Sequence, residues 1–408
     1  MRKFDMFEIN EAKKLILDHF VYYEVQTEKI KVEDSLGRIL MDDIFSNENV
    51  PMFRRSTVDG YAVRWQDTEG VSEEQPFVAK FMGESLMGSS LDHVLDHGEC
   101  VYVPTGGMVP DGADAVVMVE YSQVEDDKVK LWQELESMSN VVSIGEDVKI
   151  GEHVLGKNHK IRPQDIGALK VVGVSEINVI KRPRIAIIST GDELVGEKKE
   201  LSLGEVRDIN TYTITALAKQ YGCEISYKGV VKDDYDAIKE TIKKAYEISD
   251  IVLVSGGSSM GEKDVTADIF NELGNPGVFV HGVRLKPGKP TILAKIDGKP
   301  CFGLPGHPVS AMIVFEIFVK FFLEKIMKMD MGIKNTLYGY TTANMSSAAG
   351  RDTYQMVDVN FGENGIEISP VPGKSGMITL LSNAKGYTVI PYKKGFVKKG
   401  EKVKVTLF

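Results

Sequence analysis

From Arg184 to about Met329, short β-branched runs alternate with stretches of helical spacing, and no other feature limits the fold as strongly. Ile185 to Ile188 reads as a strand. Ile214, Leu217, Ala218 and Tyr221 then share a helix face, with Asn210 or Thr211 as the cap and Gly222 as the residue that ends the helix. Ile225 to Val231 reads as the next strand, and Ile238, Ile242, Ala245 and Tyr246 mark the next helix. Ile251 to Val254 is four apolar residues, three of them β-branched, which suits a strand buried on both faces. This order predicts a parallel, doubly wound α/β sheet that holds its ligand at the carboxyl ends of the strands. Thr291 to Ile296 and Cys301 to Leu304 flank Asp297-Gly298, a β-hairpin signal.

The flanking sequence has a different texture. Ile9, Ala12, Leu15, Ile16 and Phe20 predict an amphipathic N-terminal helix, and Ser35 to Asp43 a second, short one. After Pro51, alternating runs and Gly-rich turns continue to about Gly145, which predicts an inserted β-rich domain. Beyond Gly332, the runs Tyr354 to Val359, Ile366 to Ile368, Tyr387 to Ile390 and Val403 to Leu407 suggest a small barrel or sandwich. The expected division is therefore an N-terminal helix (1–26), a linker region (27–50 and 146–180), the insert (51–145), the α/β domain (181–329) and the C-terminal β domain (330–408). Such a multidomain α/β plus β chain is consistent with 408 residues.

A net charge of −10 without a Lys/Arg-rich block argues against nucleic acid as a partner. The oily stretch Ala311 to Leu323 is too short to span a bilayer and is interrupted by Glu316 and Lys320, so it reads as a buried helix. Cys100, Cys223 and Cys301 lack CxxC spacing, and the N-terminus lacks the apolar core of a signal peptide. Both fit a reducing, cytoplasmic setting.

Several turns carry candidate chemistry. In SGGSSMGEKD, Gly256 and Gly257 permit a tight turn with free N–H groups beside Ser259, a phosphate-holding pattern, and Glu262 and Asp264 follow as candidates for a divalent metal. STGDEL places Glu193 at another strand end, where a solvated acidic turn and a site loop fit equally. Of Asp233 and Asp234, one is expected to cap a helix. Under the parallel reading, Glu193, Asp233 and Asp264 share one sheet edge, which suggests a magnesium-type site. RLKPGKP holds Arg284, Lys286 and Lys289 in a proline-stiffened stretch that reads as an exposed charged loop or an oxyanion pocket. GLPGHPVSA is another strand-to-helix turn, with Pro305, Pro308 and Ser310, and its His307 reads as structural. Asp59-Gly60 reads as a hairpin turn, while Arg351 and Ser375 carry no signal of their own.

Taken together, PMFRRSTVDGYAV, PTGGMVPDGADAVVMVE, GEDV, STGDEL, SGGSSMGEKD, KPGKP and GLPGHPVSA resemble, in order and spacing, the molybdopterin molybdenumtransferases, the MoeA family related to the gephyrin E domain. The resemblance implies Mg²⁺-dependent cleavage of adenylylated molybdopterin, release of AMP and insertion of molybdate into the dithiolene. It also implies a homodimer, a C-terminal β-barrel and a contact with the adenylyltransferase that supplies the substrate. Glu193, Asp233 and Asp264 would then handle metal and adenylate phosphate, with Gly256, Gly257 and Ser259 beside them. Lys286, Lys289 and Pro290 would wall the molybdate pocket with Arg351 and Ser375, and Pro305, Pro308 and Ser310 would line the same cavity. Asp59, Thr105 and Asp147 match positions implicated in activity from the partner protomer. The chain departs from the family at His307, where many members have Asn, and at Gly282. A molybdopterin adenylyltransferase, a noncatalytic scaffold or carrier and a tungstate-specialised transferase are the competing readings.

Overall fold

The computed structural model describes residues 6–89, 92–196, 200–257, 264–329, 335–362 and 365–408. Two compact units are present, one formed by residues 1–28, 37–39 and 180–408, the other by 29–36 and 40–179.

In the first unit, six strands form a mixed sheet in the order Glu224–Val231, Arg184–Thr190, Ile251–Ser255, Lys299–Leu304, Ile292–Ile296, Gly277–His281. The first four strands run parallel, as the alternation predicts. Ile292–Ile296 runs antiparallel to both of its neighbours, because Asp297 and Gly298 (φ +41° and +92°) fold the chain straight back into Lys299–Leu304 as a hairpin. Both faces of the sheet are covered. Ile185, Ile187, Ile251 and Leu253 point into one core, with the N-terminal helix Ile9–His19 and the segment Pro308–Lys325. Ala186, Ile188, Val252 and Val254 point into the other, with Ile238, Ile242 and Phe270. The two-residue period of the strands explains this division. Pro308–Lys325 is helical throughout but passes through a π turn at Phe315–Val319.

C-terminal strands Asp352–Gly362, Gly365–Pro370, Thr336–Thr341, Lys402–Leu407 and Gly386–Ile390 pair in that order, and the last pairs again with the first. This closes a five-stranded barrel around Val357, Ile368, Ile390 and Val405. A further pairing ties the barrel to the α/β sheet's loop: Leu285 lies opposite Asp352 and Lys286 opposite Thr353.

The second unit centres on a six-stranded sheet in the order Ala115–Met118, Gly60–Val63, Glu99–Val103, Phe77–Glu84, Lys128–Leu131, Ser122–Glu125. Cores lie on both of its faces. Two sequence expectations fail in this region. Residues 35–43 form no α-helix, because Gly37 takes φ +74° and Leu40 bridges to Val179. Asp59-Gly60 is not a hairpin turn either. Gly60 opens a central strand, and its missing side chain lets Val117 O approach to within 2.1 Å of where a Cβ would stand.

All three cysteines are buried, and burial pushes the thiols of Cys100 and Cys223 up to about 12 and that of Cys301 higher still. Among the described residues, no helix is long and apolar enough to cross a membrane.

Candidate functional site

Two cavities in the first unit collect most of the residues singled out from the sequence there. The smaller, about 570 Å³, lies at the carboxyl ends of the parallel strands, where a doubly wound sheet holds its ligands. Gly256 and Gly257 form its floor at φ +100° and +61°. A Cβ on Gly256 would stand 2.3 Å from Thr190 O, so only glycine lets the two strand ends come this close. Glu193, Asp233 and Asp208 supply carboxylates to the lining, which also includes Pro305, Pro308 and Ser310.

Local folding frees these groups for the cavity. Asp234, not Asp233, caps the helix Tyr235–Ile248, accepting from Ala237 N at 2.8 Å. Asp208 likewise takes over the capping expected of Asn210 or Thr211: its Oδ1 accepts from Thr211 N at 3.2 Å and from Ser189 Oγ at 3.1 Å. Asn210 instead donates through Nδ2 to Ser255 Oγ (2.8 Å) and Gly306 O (2.7 Å), while its buried Oδ1 has no partner among the described residues. Thr190 Oγ1 is also buried without a partner in hydrogen-bond geometry among them, although its hydroxyl lies near enough to Asp233 to favour the carboxylate. Unmet buried polar atoms beside a glycine turn are unusual in a settled interior and fit a polar ligand.

Asp233 is held above the ordinary carboxylate range, first by burial and then by the charges of Asp192 and Glu193. A cation would relieve that crowding. Mg²⁺ is commonly held by one or two carboxylates together with substrate phosphates, so Glu193 and Asp233 suit it. Asp264 does not join them. It caps the helix Val265–Leu273 through Ala267 N (3.3 Å) and pairs with His281 Nε2 at 2.8 Å, and it lies outside the lining of both cavities. Among the described residues, no group of three His, Cys, Asp or Glu is placed to hold a metal. The shared strand-edge position inferred for the three carboxylates therefore does not become a three-carboxylate cluster, because helix capping turns Asp264 aside. Ser259 and Glu262 lie outside the described residues.

The larger cavity, about 950 Å³, has the opposite chemistry. Lys286, Lys289, Arg351 and Lys374 line it, and no described Asp or Glu does. None of the four cations forms an ion pair or side-chain hydrogen bond with a described residue. Lys286 is carried there by its pairing with Thr353, which sets it beside Arg351 at the start of the barrel strand. Ser375 faces the same space and lies 2.9 Å from His307 Nδ1. Pro290, His307, Ser310 and Gly376 line both cavities, so the acidic and basic spaces adjoin. Uncompensated cations with no competing carboxylate make a receptor for an oxyanion.

In the second unit, Asp59 Oδ1 accepts from Thr105 N (2.7 Å) and Thr105 Oγ1 (3.0 Å), which brings these two residues together. Asp147 is exposed, and its N–H donates to Val50 O at 3.0 Å. Lys374 and Asp208 were not singled out from the sequence, while Asn210 was read as a helix cap and Thr190 as part of the ISTGDEL turn. Asp208, just ahead of an apolar helical repeat, carried a usable capping signal.

Family models match most of the chain. Residues 7–173 match the MoeA N-terminal region (domain I and II), residues 186–325 a domain described as "Probable molybdopterin binding domain", and residues 338–408 the MoeA C-terminal region (domain IV). A molybdopterin molybdenumtransferase of Haemophilus influenzae is 30% identical, covering 99% of both chains. One from Staphylococcus aureus is 36% identical over 71% of this chain and 69% of its own. Among solved structures, a molybdopterin biosynthesis MoeA protein from Pyrococcus horikoshii superposes with a TM-score of 0.82 at 31% identity, covering 99% of this chain and 100% of that one.

Proposed function

Because the chain belongs to the MoeA family of molybdopterin molybdenumtransferases, enzymes of molybdenum cofactor biosynthesis, we propose that its two adjoining cavities divide one substrate pair between them. Adenylylated molybdopterin lays its phosphoanhydride against the Gly256-Gly257 turn, and molybdate enters the basic cavity. The observation that carries this reading is the contrast in charge: carboxylates beside a glycine turn on one side, and Lys286, Lys289, Arg351 and Lys374 without a carboxylate on the other.

Backbone N–H groups of a glycine turn hold phosphate oxygens without a side chain in the way. Glu193 and Asp233 would hold Mg²⁺, which when bound neutralises and polarises the phosphoanhydride. The unmet Asn210 Oδ1 and Thr190 Oγ1 offer one acceptor and one hydroxyl to fix the ligand's orientation. On the other side, Lys286, Lys289 and Arg351 concentrate and orient the oxyanion, with Ser310 and Ser375 as hydrogen-bonding hydroxyls. Holding the oxyanion next to the dithiolene makes insertion effectively unimolecular. An oxygen of molybdate or of water attacks phosphorus as the phosphoanhydride P–O bond breaks, AMP leaves with the bond's electron pair, and no protein nucleophile is required. Asp59, Thr105 and Asp147 act on the partner protomer's cleft in a homodimer.

AMP release from purified protein given adenylylated molybdopterin, Mg²⁺ and either molybdate or tungstate tests the reading. Anion-dependent release with metal in the pterin product is expected, and Asp233→Asn should lower it about 100-fold or more, as loss of a principal electrostatic group does. Binding of substrate without any release would favour a carrier instead.

A further inference from the structure

Five of the chain's seven histidines, His93, His97, His153, His159 and His281, each sit against a carboxylate, namely Glu99, Asp67, Asp43, Asp165 and Asp264. Among the described residues His19 and His307 have no such ion pair, and His19, stacked on Phe279, lines neither cavity. His307 Nδ1 is 2.9 Å from Ser375 Oγ, its ring is exposed, and it lines both cavities where they meet. Four cations share the larger cavity's lining with it: Lys286 and Lys289 on the proline-bounded loop, Arg351 next to the start of a barrel strand, and Lys374 next to Ser375. Across the smaller cavity stand Glu193, Asp208 and Asp233, together with Arg207.

A dianion arriving in the larger cavity brings negative charge beside the imidazole. A protonated ring could donate from Nδ1 to Ser375 Oγ and still present Nε2–H to the anion. We propose that His307 is a proton-accepting ligand of the oxyanion, so that a proton from solvent enters the cavity with each dianion bound. The inference rests on the reading of the larger cavity as an oxyanion site and adds the device by which that site senses charge. Binding then strengthens as pH falls through the range in which the free imidazole is neutral, and dianions are preferred to monoanions of similar size.

Tungstate is a suitable probe, since it needs no pterin and stays a dianion near neutral pH. Calorimetric titration of the full chain, in two buffers of different ionisation enthalpy, reads the protons taken up. The wild type should take up as much as about one proton per tungstate near pH 7.5, and its affinity should weaken by up to about tenfold per pH unit above neutrality. His307→Asn and His307→Gln, which keep a polar side chain without a titrating group, should take up none and show a flat profile. The imidazole Cε1–H resonance lost in either variant should move toward the imidazolium position when tungstate is added to the wild type. Equal proton uptake in wild type and both variants, or an unmoved resonance, overturns the proposal while leaving the oxyanion cavity in place. Tungstate that binds to none of the three proteins removes the cavity reading itself, and the proposal falls with it.

Discussion

Asp165 is nearly buried and accepts from His159 Nε2 (2.6 Å), Arg162 N (2.8 Å), Arg162 Nε (3.0 Å) and Arg162 Nη2 (3.0 Å). The Arg162 guanidinium above all, then His159 and the Arg162 N–H, hold its carboxyl well below the usual carboxylate range. An unfolded Asp titrates near pH 4, so the stabilisation is complete above about pH 5 and drains away as pH falls toward the native value. Asp165→Asn should therefore melt at a lower temperature than the wild type at pH 7, and the difference should close as the pH approaches 2. Thermal melts of both proteins across that range check the sign. At this scale the sequence was informative only where a residue sat in a patterned turn. Gly256, Gly257, Lys286 and Lys289 are legible because glycine pairs and proline-bounded lysines imply a backbone shape. Lys374, in a loop of glycine and proline, has no such context. Its role comes from a chain fold that brings it to Lys286, 88 positions earlier.

Pro308–Lys325 shows what an element adds to its residues. Ala311 to Leu323 was legible as a buried helix from its apolar run, and the interruptions at Glu316 and Lys320 looked like breaks in it. In the fold they are a polar knot: Lys320 Nζ donates to Tyr221 OH (3.1 Å) and Glu316 Oε2 (3.3 Å), and Tyr221 OH donates to Glu316 Oε1. Phe315, Phe318 and Phe322 are fully buried around it. Phe318→Ala should cost about 3–5 kcal/mol, the usual toll of deleting a buried aromatic ring, measured by denaturant unfolding of the first unit. Long elements with strong periods, such as the parallel strands and their helices, were readable in this way. The region 35–43 was not, because Leu36, Ile39 and Leu40 imitate a helix face while a positive φ at Gly37 and a distant partner at Val179 decide the outcome. Short strands whose partners lie a hundred residues away carry little local signal.

At the scale of the whole molecule, both cavities belong to the first unit, while Asp59, Thr105 and Asp147 belong to the second. The chain crosses between the two units after residues 28, 36, 39 and 179, and Lys181 N donates to Gln26 O at 2.9 Å where the excursion begins and ends. A short glycine-rich turn in place of residues 27–180 can therefore join the two ends. The shortened chain should still bind tungstate within about threefold of the full chain, while AMP release is lost. A shortened chain that turns over normally would remove Asp59, Thr105 and Asp147 from the proposed chemistry. The parallel sheet and the barrel that build these cavities were legible as separate domains, but the meeting of a basic and an acidic space was not, since it depends on a two-residue strand, Leu285–Lys286, joining one to the other. The buried cysteines have a practical consequence as well. Their thiols are shielded and scarcely ionised near neutral pH, so a maleimide has little to attack on the native chain. Met377→Cys, half exposed on the wall of the basic cavity, would give a thiol-reactive dye a single address, and the label would report on ligand entry without first stripping the protein of its own sulfur.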